Sequence, residues 1–244
     1  KGSARARTTK KLRGGVTRRR LSQLTQQELS TALQLLPADV VKQIGKRHPL
    51  LIPPFTNKTL RRAVQDYLAG GARKERIVDK YGEISNWDVS KVTSMSSMFE
   101  NATSFNQPIN NWNVSSVTSM YHMFRRARSF NQPLNNWNVS KVTNMTNMFY
   151  DAESFNQPLS KWDVSNVEDM NEMFWNAQAF NQPLNKWNVS KVKYMYAMFA
   201  YAESFNQSLN KWNVSSVTIT RCMFWNATSF AQKHLDEIKY GNYV

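Results

Sequence analysis

Residues 137–161, WNVSKVTNMTNMFYDAESFNQPLSK, form one copy of a 25-residue unit that occurs six times in succession. The Trp that begins each copy recurs every 25 residues from Trp87 to Trp212. The Met-Phe pair recurs with the same step from residues 98–99 to residues 223–224, and no insertion interrupts the series. A fixed period of this length is typical of repeat proteins, in which each unit buries its apolar face against its neighbours.

Two hydrophobic patterns lie within one unit. Apolar and polar residues alternate over 137–140, which predicts a strand with one buried face. Over 145–152 the apolar residues fall at i, i+3, i+4 and i+7, which predicts a short helix. Since parallel strands stack about 4.8 Å apart and helices need roughly 8–10 Å, the strands should line the concave side. The unit therefore predicts an α/β repeat solenoid, a leucine-rich-repeat-like arc of six coils.

The chain divides into four segments by composition and pattern. Residues 1–23 are a basic extended arm, and residues 24–83 have helical patterns that suggest an N-terminal cap on the repeats. Within that segment Thr56 is positioned to cap a helix that runs to about Leu68, where Gly70 and Gly71 would end it. The six repeats occupy residues 84–233, and residues 234–244 are predicted to be a C-terminal cap or tail.

The positive charge is concentrated before the repeats. The net charge is +15, and residues 1–83 carry 19 Lys or Arg against 6 Asp or Glu. The arm could neutralise phosphates, but it could also be a nuclear or transit-type address, a solubilising tail, or a tether between acidic protein neighbours. The candidate contacts for phosphate or for a partner are Arg5, Arg7, Lys10, Lys11, Arg13, Arg18, Arg19 and Arg20.

No pattern in the chain indicates catalysis, a cofactor or a metal. The phosphate-binding and nucleophile motifs are absent, and the three His residues lie far apart in the sequence. Cys222 is the one cysteine, and we interpret it as a small residue next to the core. The sequence has neither an apolar run of membrane-spanning length nor a secretory signal at its start, so we expect an intracellular or virion location.

The repeated aromatic and amide residues are predicted to be structural. The Trp and Phe series should stack in the core, and the Asn of each F-N-Q segment should satisfy backbone groups of the neighbouring unit. The variable positions around each Met-Phe pair look instead like a surface shaped for a partner. The candidate protein contacts there are Tyr121, His122, Arg125, Arg126, Tyr150, Trp175, Tyr194, Tyr196, Tyr201 and Trp225.

The repeat pattern W-[ND]-V-S-x-V-T-x-M-x-x-M-F-x-x-A-x-x-F-N-Q-P-L resembles that of the BspA-type leucine-rich-repeat surface-protein family. The resemblance extends from residue 84 to about residue 231. Such repeats occur in bacterial surface proteins, in protists and in large DNA viruses. The resemblance implies a role in protein–protein interaction or in structure, and it implies no catalysis.

These observations lead to three hypotheses. The leading one is a non-enzymatic structural or protein-interaction protein whose repeats dock on neighbours while its arm threads into a large assembly. The most specific form of this hypothesis is a minor capsid protein or another virion component of a large DNA virus. The alternatives are a nucleic-acid-associated protein that uses the arm on phosphates, and a surface adhesion protein like the bacterial members of the family.

Overall fold

A computed structural model describes residues 52–230. Two helices precede the repeats, α1 over Asn57–Leu68 and α2 over Gly71–Tyr81, and a 3₁₀ turn follows at Ile84–Asn86. The basic arm, the helical patterns before residue 52 and the C-terminal tail lie outside the described residues.

Helix α1 begins where the sequence predicted. The Thr56 side chain accepts a hydrogen bond from the Thr59 N–H, and the Thr59 hydroxyl accepts one from the Thr56 N–H, which together form a capping box. The chain changes direction between α1 and α2 at Gly70 and at Gly71, the first residue of α2, because both take a positive φ, 70° and 49°, that glycine adopts at little cost. The predicted helix from Thr56 to Leu68 is therefore confirmed, whereas α2 was not predicted.

The two helices cover the start of the repeats. Rings from the segment before α1, from α1 and from the end of α2 surround Trp87, with centroid distances of 5.1, 5.9 and 6.2 Å for Phe55, Tyr67 and Tyr81. The Asn57 side-chain oxygen accepts hydrogen bonds from the backbone N–H groups of Thr93 and Ser94. In the next unit the Thr118 N–H donates to the Thr93 carbonyl, so Asn57 supplies the acceptor that a preceding unit would otherwise provide.

Successive repeats join through their backbones. One parallel bridge links each unit to the next, from Ser94↔Ser119 to Tyr194↔Ile219. Beyond each bridge the N–H groups of every second residue donate to the following unit; those of residues 95, 97, 99 and 101 donate to the carbonyls of 119, 121, 123 and 125 at 2.8–2.9 Å. Each unit is therefore held in register by its neighbour's backbone.

The elements inside a unit differ from the prediction. Residues 137–140 do not form a strand; the Asn138 side chain accepts from the Ser140 N–H, the Val142 N–H donates to the Val139 carbonyl, and the chain turns there. The pairing lies instead at Asn144. Residues 145–152 form two successive turns rather than a helix, because alternate N–H groups bond to the next unit and not to the carbonyl four residues back.

Each of those turns needs a left-handed residue. The third residue of the first turn and of the second turn takes φ between 48° and 60° in every unit, as at Asn147 and Asp151. A positive φ at the third position is the requirement of a type II turn. Because residues 87–230 contain no helix, the predicted reason for the curvature, wide helices on the side opposite narrow strands, does not apply to the described repeats.

The core consists of ladders of aromatic rings. Phe99 and its equivalents stack with centroids 5.5–5.6 Å apart, and each of these rings also stacks on the second Phe of its own unit. From Trp112 on, each indole N–H donates to a carbonyl 28 residues earlier, as Trp162 does to Leu134 at 3.0 Å. The Trp series is buried, as predicted, and its one polar atom is satisfied.

The Asn ladder is also confirmed. The side-chain oxygen of Asn106 accepts from the backbone N–H of Asn131, and the Asn131 oxygen accepts in turn from Asn156, both at 3.0 Å. The amide of Gln132 donates to the same Asn106 oxygen. These bonds satisfy backbone donors in the adjacent unit, so the recurrence of F-N-Q is explained by stacking.

Candidate protein-interaction face

The residues that vary between units lie around the two turns. We call this surface the variable face and define it as residues 94, 96, 97, 100 and 101 with their equivalents at each 25-residue step. The side chains between them are two Met and a Phe in each of the first five units and Met223 and Phe224 in the sixth; they point into the core and are almost all buried. The face is therefore set by five positions per unit on a backbone that hardly changes.

A second row of polar residues is uniform, and local bonding explains why. Asp88, Asn113 and their equivalents accept a hydrogen bond from the N–H of the Ser two residues later. Such bonds stabilise a turn within one unit and recur because the turn recurs. This row therefore differs from the variable face, where neighbouring units carry different side chains.

The first part of the variable face is an ion-pair cluster. The Glu100 carboxylate lies 3.0 Å from Arg125 Nη1 and 3.5 Å from His122 Nδ1. Tyr121 stacks on the His122 ring at 3.6 Å, and the Arg125 guanidinium lies 5.0 Å from the centre of the Tyr150 ring. Four of the predicted contact residues are thus brought together here, while Arg126 lies beside them, exposed.

Burial and charge shift the titration of this cluster. Burial raises the pKa of Glu100, but hydrogen bonds with Ser97 and Arg125 and the charges of His122 and Arg125 outweigh burial, so the pKa is lowered. Burial lowers the pKa of His122, and the raising effect of Glu100 only partly offsets it. The His122 side chain is only 18% exposed, because Tyr121 stacks on its ring and Glu100 of the preceding unit lies against it.

The last part of the variable face is an aromatic slot. Trp175, Tyr196, Tyr201 and Trp225, all predicted as contact residues, line a cavity of about 380 Å³. Trp225 is 51% exposed and Tyr196 is 40% exposed. Tyr150 stacks on the far side of Trp175 at 4.3 Å, and Tyr194 lies exposed near the bridge to the sixth unit.

Sequence analysis missed four residues of this region. Ala197 and Ala200 form the floor of the slot, Arg221 lines it, and the exposed Ile219 follows Tyr194 in the bridge series. These positions could have been noticed because their residues differ from those at the equivalent positions of other units. Ala200, for example, stands where the third and fourth units have the aromatic residues Tyr150 and Trp175. Cys222, interpreted as core-adjacent, is half-buried and lines the same slot.

The described residues contain neither a cluster placed to hold a metal ion nor a helix able to span a membrane. Over residues 52–230, no group of three His, Cys, Asp or Glu side chains is placed to hold a metal ion. In the same range neither helix combines the length and the apolar character that a bilayer span requires. The eight arm residues predicted to contact phosphate or a partner, from Arg5 to Arg20, lie outside this range.

Comparison with known families gives one result. The family described as "Mycoplasma protein of unknown function, DUF285" matches residues 74–174 and 157–241, which together cover more than half of the chain. Neither the curated proteins nor the solved structures with which the chain was compared gave a match. The matched segments contain all six repeats, α2 from residue 74 on, and the whole variable face. The chain therefore belongs to the DUF285 repeat family.

Proposed function

We propose that this chain is a non-enzymatic protein-interaction protein that binds a partner protein through its variable face. The observation that carries the proposal is the cluster of exposed aromatic side chains at the end of that face. Large exposed aromatic groups are costly to leave in water, and Tyr, Trp and Arg are the residues enriched where protein interfaces gain most of their affinity. Their concentration on one face supports a binding role for it.

The same proposal includes the architecture. We take the six units to form a leucine-rich-repeat-like solenoid of the BspA type, which is supported by the repeat motif and by the in-register parallel bridges between units. Such a stack keeps a rigid backbone while single positions change, so a partner surface can be matched without loss of the core. The Asn and aromatic ladders provide that constant framework.

The finer form of the proposal places this partner in a large assembly. A minor capsid protein or another virion component agrees with the occurrence of the resembling family in large DNA viruses. The charge of the N-terminal region, +13 over residues 1–83, would suit an arm that threads between acidic neighbours. An arm that contacts nucleic acid would fit the same charge.

Site-specific photo-cross-linking tests the binding face. A benzoylphenylalanine placed at Tyr121, Tyr196 or Trp225 in the full chain, expressed in its natural source, should cross-link to one or a few defined proteins. The control places the same group at Asn138 or Asn188, which are exposed in the uniform row. Equal cross-linking from both rows, or none from the variable face, would overturn the proposal.

A further inference from the structure

The aromatic slot exists because one ring is missing from a column. The residue after each Met-Phe pair is Tyr150 in the third unit, Trp175 in the fourth and Trp225 in the sixth, but it is Ala200 in the fifth. Tyr150 and Trp175 show how neighbouring rings pack in this column: their planes are 9° apart and their centroids 4.3 Å apart. The fifth unit thus interrupts a stack that the units on both sides could continue.

The gap is deepened by a second small residue. Ala197, at the third position of the first turn, occupies a place where other units have His122, Asn147 or Glu172. Ala197 and Ala200 line the slot and are only 4% and 2% exposed, so they form its buried floor. Tyr201 closes one side, because its ring meets Trp175 edge to face at 5.3 Å.

The thickness of the gap matches one flat ring. The buried Phe rings on each side of the fifth unit, Phe174 to Phe199 and Phe199 to Phe224, are 5.5 and 5.6 Å apart, which is the step between units. A ring at the position of Ala200 would lie about one such step from both Trp175 and Trp225. Aromatic pairs attract each other at centroid distances of about 4.5–7 Å, so a guest ring would contact Trp225 on one side and the Tyr201–Trp175 pair on the other.

The positive charge of Arg221 at the rim of the slot favours an acidic residue next to the partner's aromatic ring. Arg221 is exposed, lines the slot and forms no ion pair with any residue in the described range. By contrast, Lys193 in the preceding unit is paired with Glu168 at 2.7 Å. An arginine that has no ion pair among residues 52–230 and that lies beside an apolar cavity favours a carboxylate, which it can bind with two hydrogen bonds.

From these observations we propose that the slot binds an aromatic side chain of a partner peptide that carries Asp or Glu within about two residues of it. The ring takes the place that Ala200 leaves in the aromatic column, and the carboxylate pairs with Arg221. This inference rests on the proposed function and specifies the partner's chemistry at one point of the variable face.

A random 12-residue peptide library displayed on phage is the probe for this inference. The library is selected in parallel on the full chain and on its Ala200→Tyr variant, in which the chain's own ring fills the slot as Tyr150 fills the same position two units earlier. We expect peptides enriched on the natural chain alone to share an aromatic residue close to Asp or Glu. Their binding, measured by fluorescence polarisation, should weaken about tenfold or more in Ala200→Tyr, because the rings can no longer stack.

Charge reversal provides the second readout. Arg221→Glu should weaken the same acidic peptides and restore binding of peptides in which Asp or Glu is replaced by Lys, whereas Arg126→Glu, remote from the slot, should change neither. The inference would be overturned if the selected peptides bound the natural chain and Ala200→Tyr equally, or if they lacked the shared pattern. It would also be overturned if Arg221→Glu left their binding unchanged, or if no peptide were enriched. Cross-linking of a partner from Tyr121 and Tyr196 would still stand in those cases, so the two proposals fail separately.

Discussion

At the residue scale, the most unusual feature is a left-handed backbone at residues other than glycine. Twelve described residues that are not glycine have a positive φ, and they occupy the same two turn positions in all six units. They include bulky side chains such as Arg126 and Tyr201, both with φ of 59°. This conformation costs an L-residue roughly 1–2 kcal/mol, so the backbone bonds between units must outweigh the cost at each turn.

Glycine at one of these positions should therefore stabilise the fold. We expect Arg126→Gly to raise the free energy of unfolding by up to about 1 kcal/mol, because glycine removes the clash of the left-handed turn and its own entropy offsets only part of the gain. Lys141→Gly is the matched control, since Lys141 is exposed and has no positive φ; it should lower stability by roughly 0.5–1 kcal/mol. Urea denaturation of both variants gives the sign of each change in the free energy of unfolding. If both variants changed it in the same direction, the strain assigned to the left-handed turn would be contradicted.

The His122 cluster should make stability depend on pH. The groups that face His122 are Glu100 in the preceding unit, Arg125 in its own and Asn147 in the following one. Because the pKa of His122 is lowered in the folded state, the unfolded chain binds more protons near the ordinary value of 6.5. Stability should thus be fully present above that value and fall as the pH drops through it.

Substitution of the histidine tests this dependence. The free energy of unfolding, measured by urea denaturation between pH 7.5 and pH 5.5, should lose part of its slope in His122→Gln. His48→Gln and His234→Gln are controls outside the described residues. An unchanged slope in His122→Gln would show that the cluster does not titrate as inferred.

At the element scale, the sequence predicted the packing better than the backbone path. The capped helix α1, the buried Trp series and the Asn ladder were all predicted, because each depends on a local signal or on strict recurrence. The strand at 137–140 and the helix at 145–152 were wrong, because the apolar spacing of a single unit does not reveal that its N–H groups bond to the next unit. Asn138 marks the turn only once its bond to Ser140 is seen.

The candidate site was predictable to a similar degree. Trp175, Tyr196, Tyr201 and Trp225 stood out as aromatic residues at variable positions. The slot between them did not, because a cavity is defined by small residues, and Ala200 carries no signal of its own. It becomes visible only when the column Tyr150, Trp175, Ala200, Trp225 is known to be a physical stack.

Asn57 makes the side-chain hydrogen bonds that join the start of α1 to the backbone of the first unit. Asn57 accepts hydrogen bonds from Thr93 and Ser94 at 2.9 and 3.2 Å, and its amide donates to the Thr93 hydroxyl. Asn57→Ala should lower the free energy of unfolding by about 0.5–1.5 kcal/mol, since those donors lose their protein partner but remain accessible to water. Lys58→Ala, on the exposed side of the same turn of helix, should change it by less than about 0.5 kcal/mol. Thermal unfolding of the two variants distinguishes loss of the Asn57 hydrogen bonds from a general weakening of α1. Equal losses of stability in the two variants would favour a general weakening of α1.

At the scale of the whole molecule, the repeats form a stack in which contacts are made between nearest neighbours. Side-chain bonds between units join residues 23–28 positions apart, about one repeat length, as Arg128 joins Asp151 and Asn131 joins Asn156. The stability of such a protein should therefore depend more on whether a deletion removes a whole 25-residue unit than on how many residues it removes.

Removal of one whole unit is thus expected to be tolerated. Deletion of residues 137–161 joins Asn136 to Trp162, so the fourth unit takes the place of the third. The Trp, Met and Phe columns stay continuous, and Arg125 meets Trp175 in place of the Tyr150 ring. The ion pairs of Arg128 with Asp151 and Glu153 are lost, but Arg128 is half exposed and such pairs contribute only about 0–1 kcal/mol.

The control is a shorter deletion with the wrong phase. Removal of residues 137–149 takes out half as much chain but leaves a unit without its Trp, its two Met and its first Phe. Loss of those buried groups, at about 2–5 kcal/mol for each large side chain, exceeds the stability of an ordinary domain. Circular dichroism during heating should show a cooperative transition a few degrees lower for the 25-residue deletion, and no cooperative transition for the 13-residue deletion. If the shorter deletion is the milder one, the units are not interchangeable, and the six copies would have to be treated as a single fold with long-range contacts.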